Sequence, residues 1–202
     1  IEAVTSELVA EGGGLSVDGE GTLLTTLSCF PNANRNPDWS QAAIEAELKR
    51  ALGVETVIWL PGNPYETETN GHVDGIAMFA APGVVIAERP SGEPPEEAEF
   101  MRCQLAAVEG ATDARGRRLK VIPLDSASEC DSAGNPTYRG YINFYLANGA
   151  VIAPAHGVAA DARAREVFEE AFPGREILQL PVADIETGGG GIHCITQQQP
   201  AV

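Results

Sequence analysis

The chain has 202 residues, with 29 acidic against 13 basic side chains and a formal net charge of −16. That balance leaves no basic stripe, which argues against nucleic acid and anionic membrane surfaces as partners and in favour of a cationic small molecule. No run approaches the ~18 apolar residues of a membrane-crossing helix. The four cysteines (Cys29, Cys103, Cys130, Cys194) have neither C-x-x-C spacing nor the density of a disulfide-stapled secreted scaffold, so a reducing cytoplasm is the expected compartment.

In chain order, a short strand is expected over 2–9. Leu15–Val17 and Thr22–Thr26 read as two strands joined by Asp18-Gly19-Glu20-Gly21, a hairpin turn signal. Residues 29–37 form a polar loop. A helix is predicted over about 41–51, with Ser40 as N-cap, Ile44, Leu48 and Leu52 on one face and Gly53 ending it. Val57–Leu60 is a strand stopped by Pro61-Gly62.

Beyond a polar loop over 62–71, a strand is expected to start near Gly71–Gly75 and run to Phe79. It turns at Pro82-Gly83 and returns through Val84–Ala87. Residues 90–97 read as an exposed loop, Ala98–Glu109 as a helix carrying Cys103 on its core face, Leu119–Leu124 as a strand, and 125–139 as irregular. Tyr141–Leu146 and Ala150–Pro154 are strands joined by Asn148-Gly149. Asp161–Phe172 is a helix with Ala164, Val167, Phe168 and Ala171 on its apolar face, and Ile177–Val182 is a strand leading to the run Gly188–Gly191.

A ββαβ pattern thus recurs at 15–61, 76–123 and 141–181, at intervals of about 60 residues, which is the mark of an internal structural repeat. Units of this kind repeated radially build an α/β propeller with a shared central site. Three units leave such a ring open, and open edges favour association with further chain or with another copy.

Candidate chemistry sits in glycine-flanked segments, where sites concentrate. Cys194, after the glycine run and in a chain with few histidines, is a candidate nucleophile. His72 and Asp74 lie two apart and, if extended, face the same way, so a proton shuttle and a carboxylate would meet one ligand. Glu11 and Asp74 suit a cationic planar group. On residue type alone a cysteine in a glycine-rich terminal segment is more often inert than catalytic. His193 is expected to face away from Cys194 in an extended segment, and His156 to be merely exposed. The His and Asp spacings match no standard metal-ligand set. The glycine run lacks the spacing of a nucleotide loop.

Several motifs occur together in order: Glu11-Gly12-Gly13, Asp18 to Thr26, Asn34-Arg35-Asn36-Pro37, Val57 to Gly62, Gly71-His72-Val73-Asp74, Ile142 to Tyr145, and Gly188 to Pro200. In these the chain resembles the C-terminal part of agmatine deiminases, within the guanidine-modifying enzyme superfamily and its bacterial-type peptidylarginine deiminase branch. The resemblance implies a pentein-type propeller of five ββαβ units, about three of them here, as a single catalytic domain over 1–202 that lacks its N-terminal part. It implies hydrolysis of the agmatine guanidinium to N-carbamoylputrescine and ammonia in putrescine biosynthesis, with no metal or organic cofactor.

By the same resemblance Cys194 is the nucleophile, His72 the general acid/base, Glu11 and Asp74 the carboxylates holding the guanidinium, and Gly190 and Gly191 part of the substrate site. Relatives carry Asn where Gly191 stands, and a Trp-x-Arg-Asp-x-Gly-Pro segment upstream. The start at Ile1 without that segment fits a piece of a longer protein. The alternatives are a protein-arginine or arginine deiminase of the same fold, and an inactive or binding-only piece.

Overall fold

In the computed structural model, residues 5–130 and 136–199 are described, and the side chains of 128–130 and 136–138 are left aside. Three three-stranded sheets are each built in the same way. The first holds β1 (Ser16–Val17), β2 (Thr22–Thr26) and β3 (Thr56–Leu60). The second holds β4 (Ala77–Ala81), β5 (Val84–Arg89) and β6 (Lys120–Asp125). The third holds β9 (Tyr145–Ala147), β10 (Ala150–Ala155) and β11 (Glu176–Pro181). In each, the first two strands pair antiparallel across a tight turn and the last two pair parallel. A parallel pair needs a crossover, and helices α1 (Gln41–Leu52), α2 (Pro95–Gly110) and α3 (Ala160–Ala171) supply it. The predicted ββαβ repeat is therefore what the chain forms.

The local signals explain the helices. Ser40 caps α1, its hydroxyl accepting from the Ala43 N–H at 3.2 Å, and Gly53 closes it at φ 69° with Lys49 and Arg50 in the last turn, where cations complement the helix dipole. Ile44 and Leu48 are buried as expected, but Leu52 is exposed because the chain turns away at Gly53. Helix α2 starts earlier than predicted, at Pro95, whose missing N–H suits a first turn, and Glu96 and Glu97 follow. Cys103 lies on its exposed face, so its placement in the core is corrected.

Each central strand is sandwiched. Every residue of β2 is buried, which is why it reads Thr-Leu-Leu-Thr-Thr without alternation. Leu23 joins Phe30, Ile44 and Leu48 beneath α1. Leu24 faces the other way, into a cluster with Leu60, Val73, Phe79, Val85 and Val108 that welds the first sheet to the second. A third cluster, with Phe144 packed edge-on against Phe168 (5.1 Å) and Phe172 (5.6 Å), joins the third unit to the second through Met78 and Ile86.

Four other expectations are corrected. Residues 5–9 form no strand, and residues 1–4 of that predicted strand lie outside the described residues. The segment after Asp125 holds a hairpin, β7 (Ala127–Cys130) with β8 (Pro136–Arg139), in register Ala127↔Arg139 to Cys130↔Pro136; 131–135 lie outside the described residues. The loop over 90–97 is not wholly exposed, since Glu93 is buried where its carboxylate accepts from the backbone N–H of Ser91 and Gly92. The expected strand over 141–146 begins only at Tyr145, because Tyr141, Ile142 and Phe144 are consumed in the core as irregular chain. No helix among the described residues is long and apolar enough to cross a membrane.

Candidate active site

Three short 3₁₀ turns meet at the centre: Gly12–Gly14, Val73–Gly75 and His193–Ile195. Glu11 precedes the first, His72 precedes the second, Asp74 lies within it, and Cys194 lies within the third. The segment carrying His72 and Asp74 is a turn, not the extended strand expected. Both side chains nonetheless converge on Gly13: a Cβ there would stand 2.5 Å from His72 Nδ1 and 2.7 Å from Asp74 Oδ2. Only glycine allows that approach.

Asp74, 2% exposed, is the hub. Its Oδ2 lies 2.8 Å from His193 Nδ1 and accepts the Cys194 thiol at 3.5 Å. His193 is therefore turned inward onto the site, because its segment is a 3₁₀ turn, while Cys194 is exposed to the cleft. Asn143 sets this turn. Its Oδ1 accepts from the backbone N–H of His193 at 2.8 Å and of Cys194 at 3.4 Å, and its Nδ2 donates to Cys194 Sγ at 3.2 Å. A Cβ on Gly191 would fall 2.4 Å from Asn143 Oδ1, so a side chain at 191 would shift Asn143 from this position. Burial raises the Cys194 thiol above its ordinary value, the Asp74 charge raises it further, and the Asn143 hydrogen bond works in the opposite direction.

On the other side of His72, Glu11 is clamped by the chain's own guanidinium. Arg35 Nε donates to both Glu11 oxygens, at 2.7 and 2.9 Å, while its Nη1 reaches Asn70 Oδ1 and its Nη2 the Thr69 carbonyl. Arg35 thereby ties Glu11 to the loop before His72. Glu66 braces that loop by accepting from the backbone N–H of Glu68, Thr69 and Gly71. Glu11 Oε2 stands 3.6 Å from His72 Nε2, beyond hydrogen-bond length. Cys29 is fully buried nearby, and burial pushes its thiol up to about 12, with Arg35 pulling the other way.

His72, Asp74, Gly190, Gly191 and Cys194 line one cleft of about 910 Å³, within the range of small-molecule sites. Glu11 does not line it. Glu66, Glu68, Glu88, Glu96, Glu97 and Glu186 also line it, and no Arg or Lys does so among the described residues. At the far wall Glu88 has one carboxylate oxygen buried without a hydrogen-bond partner. Burial, then the Glu93 charge, raises its carboxyl to about 8, against a bond from the Tyr141 N–H.

The site thus joins His72, Asp74 and Cys194 and sets Glu11 against His72. Asn143 and His193 were not picked out for a role from sequence. Their signal was that they fall within the motifs Ile142 to Tyr145 and Gly188 to Pro200, with His193 also beside the cysteine. His156 was expected to be exposed; its side chain is buried against Tyr141, ring centroids 4.9 Å apart, with Nε2 3.1 Å from the Gly140 carbonyl.

Known proteins resemble this chain in sequence and in fold. An agmatine deiminase of Pseudomonas aeruginosa is 42% identical over 217 residues, covering 98% of this chain and 58% of that protein. One from Stutzerimonas stutzeri is 43% identical over 218 residues, with the same coverage. The solved structure of the agmatine deiminase of Enterococcus faecalis superposes with a TM-score of 0.88 at 35% identity, covering 97% of this chain and 58% of that one. The chain therefore spans 58% of the length of these curated relatives, and its three sheets with their helices form three of the five units of the pentein-type fold. The model of Porphyromonas-type peptidyl-arginine deiminases matches residues 1–200, and the chain belongs to that family.

Proposed function

We propose that this chain carries the nucleophile-bearing part of a cytoplasmic agmatine deiminase, which converts agmatine and water to N-carbamoylputrescine and ammonia. The observation that carries this reading is the cleft that places an exposed cysteine against a buried carboxylate, within walls bearing carboxylates and no Arg or Lys among the described residues. Agmatine is a dication with no carboxylate. Free arginine brings an α-carboxylate that these acidic walls would repel, so the decarboxylated substrate fits better. The free thiols Cys29, Cys103 and Cys194 accord with a reducing compartment.

In this reading Asp74 holds the guanidinium in plane through charge-assisted hydrogen bonds. A guanidinium seated there offsets the negative charge that keeps the Cys194 thiol protonated, so the thiol proton passes to His72 and the thiolate forms when substrate arrives. Sγ bonds to the guanidinium carbon, His72 gives a proton to the departing ammonia, and an S-linked amidine remains on Cys194. His72 then takes a proton from the water that attacks the same carbon, and the C–S bond breaks to release the urea product. Glu11, held by Arg35, faces His72 Nε2 at 3.6 Å. Gly190 and Gly191 keep the wall open beside Cys194.

The test compares ammonia release from agmatine, arginine and an arginyl peptide, together with labelling of Cys194 by a haloacetamidine and by iodoacetamide. Agmatine turnover abolished by Cys194→Ala, with amidine-selective labelling, is expected. Faster turnover of arginine or of the peptide, or equal labelling by both reagents, would overturn the assignment.

A further inference from the structure

Glu11, Cys29 and His72 come together from three separate segments. One donor atom from each (a carboxylate oxygen, the Sγ and a ring nitrogen) lies within 4.8 Å of those of the other two. Neither Glu11 nor Cys29 lines the substrate cleft, whereas His72 belongs to both the cleft and the cluster. Nothing in the proposed reaction uses Cys29.

Two observations give the cluster the character of a metal site. His72 Nε2 is buried and has no hydrogen-bond partner. It faces Glu11 Oε2 at 3.6 Å, too long for a hydrogen bond. Zinc bonds of about 2.0–2.3 Å to N, O and S at tetrahedral angles set ligand atoms about 3.3–3.6 Å apart, so this pair already has the separation of two ligands on one ion. A carboxylate, a thiolate and an imidazole make a three-residue set with a fourth position left for water.

We propose that Glu11, Cys29 and His72 form an inhibitory binding site for a thiophilic divalent cation such as Zn²⁺. Binding makes bonds from the ion to Sγ, to the free ring nitrogen and to a Glu11 oxygen, and the Cys29 proton leaves to solvent. Glu11 is the entrance, since its side chain is 42% exposed while Cys29 is 0% exposed. Arg35, itself buried, adds a positive charge beside Glu11, which disfavours cations held only by oxygen charge and favours one bonded to sulfur. An occupied site immobilises His72 and removes a nitrogen from proton transfer. That consequence for turnover rests on the agmatine reading; the binding itself does not.

Co²⁺ is the probe, because thiolate ligation gives a charge-transfer band whatever the protein's activity. The titration is run on Cys194→Ala protein, so that the cleft cysteine contributes nothing. A Co²⁺–thiolate band displaced by Zn²⁺ but not by Mg²⁺ or Ca²⁺ is expected. Cys29→Ser in the same background should abolish it and weaken Zn²⁺ binding at least about tenfold. Glu11→Gln, which leaves the buried thiol in place, should weaken binding with the band retained, and it decides the matter if Cys29→Ser does not fold. A band that survives Cys29→Ser, affinity unchanged in Glu11→Gln, or no band in the Cys194→Ala protein would each overturn the site.

Discussion

Replacing Glu88 with Gln is expected to stabilise the protein at alkaline pH and to do little in acid. In the folded chain the Glu88 carboxyl titrates near 8 against an ordinary 4.5, first because of burial and then because of the Glu93 charge. Between those two values the folded state keeps a proton that the unfolded chain has released. Stability therefore falls as pH rises from about 4.5, and the loss is complete above about 8. The free-energy equivalent of holding that proton to so high a pH has a ceiling of roughly 5 kcal/mol. Glu88 lines the cleft and is half-buried as a residue, so water and local relaxation reduce the expected effect to about 2 kcal/mol. Gln cannot ionise and keeps an acceptor for the Tyr141 N–H. Urea unfolding followed by circular dichroism across about pH 4–9 measures this directly, and groups common to both proteins cancel in the difference. The advantage of the variant should grow from near zero in acid to about 2 kcal/mol in base. A difference that does not change with pH, or a variant less stable at every pH, would refute the reasoning.

Other expectations follow from the contacts around Cys194 and from the packing of the units. Asn143→Ala removes the thiolate's hydrogen-bond donor and should move the pH profile of Cys194 alkylation to higher pH, whereas Asp74→Asn removes a negative charge and should move it lower; displacements in the same direction would be inconsistent with the geometry. Gly13→Ala places a methyl where His72 and Asp74 meet and should cost about 1–3 kcal/mol while abolishing amidine-selective labelling, read by chemical unfolding and mass spectrometry on the same protein. Phe168→Ala empties the aromatic core of the third unit and should cost about 3–5 kcal/mol; a loss under about 1 kcal/mol would mean that Phe144 and Phe172 collapse into the space. Ser40→Ala should cost about 1 kcal/mol through the lost cap of α1, measurable as a fall in thermal midpoint.

The sequence by itself determined the repeat and the candidate nucleophile. Asp18–Gly21, Asn148-Gly149, the Ser40 cap and the αL Gly53 are short-range devices, and their bonds close within a few residues, so a linear reading finds them. Cys194, His72, Asp74 and Glu11 were legible as glycine-flanked residues of the right chemistry and through their motifs. Tertiary structure decided how they relate. The turn that points His193 at Asp74 is held by Asn143, fifty residues away, and Glu11 is taken by Arg35, whose anchors lie on the loop before His72. The β7–β8 hairpin and the exposure of Cys103 were missed because a polar strand carries no alternation and a small thiol carries no preference strong enough to fix a helix face. Local bonding is written in neighbouring residues. The separation between two side chains brought together from distant segments depends on packing between sheets, and that packing sets the 3.6 Å between Glu11 and His72.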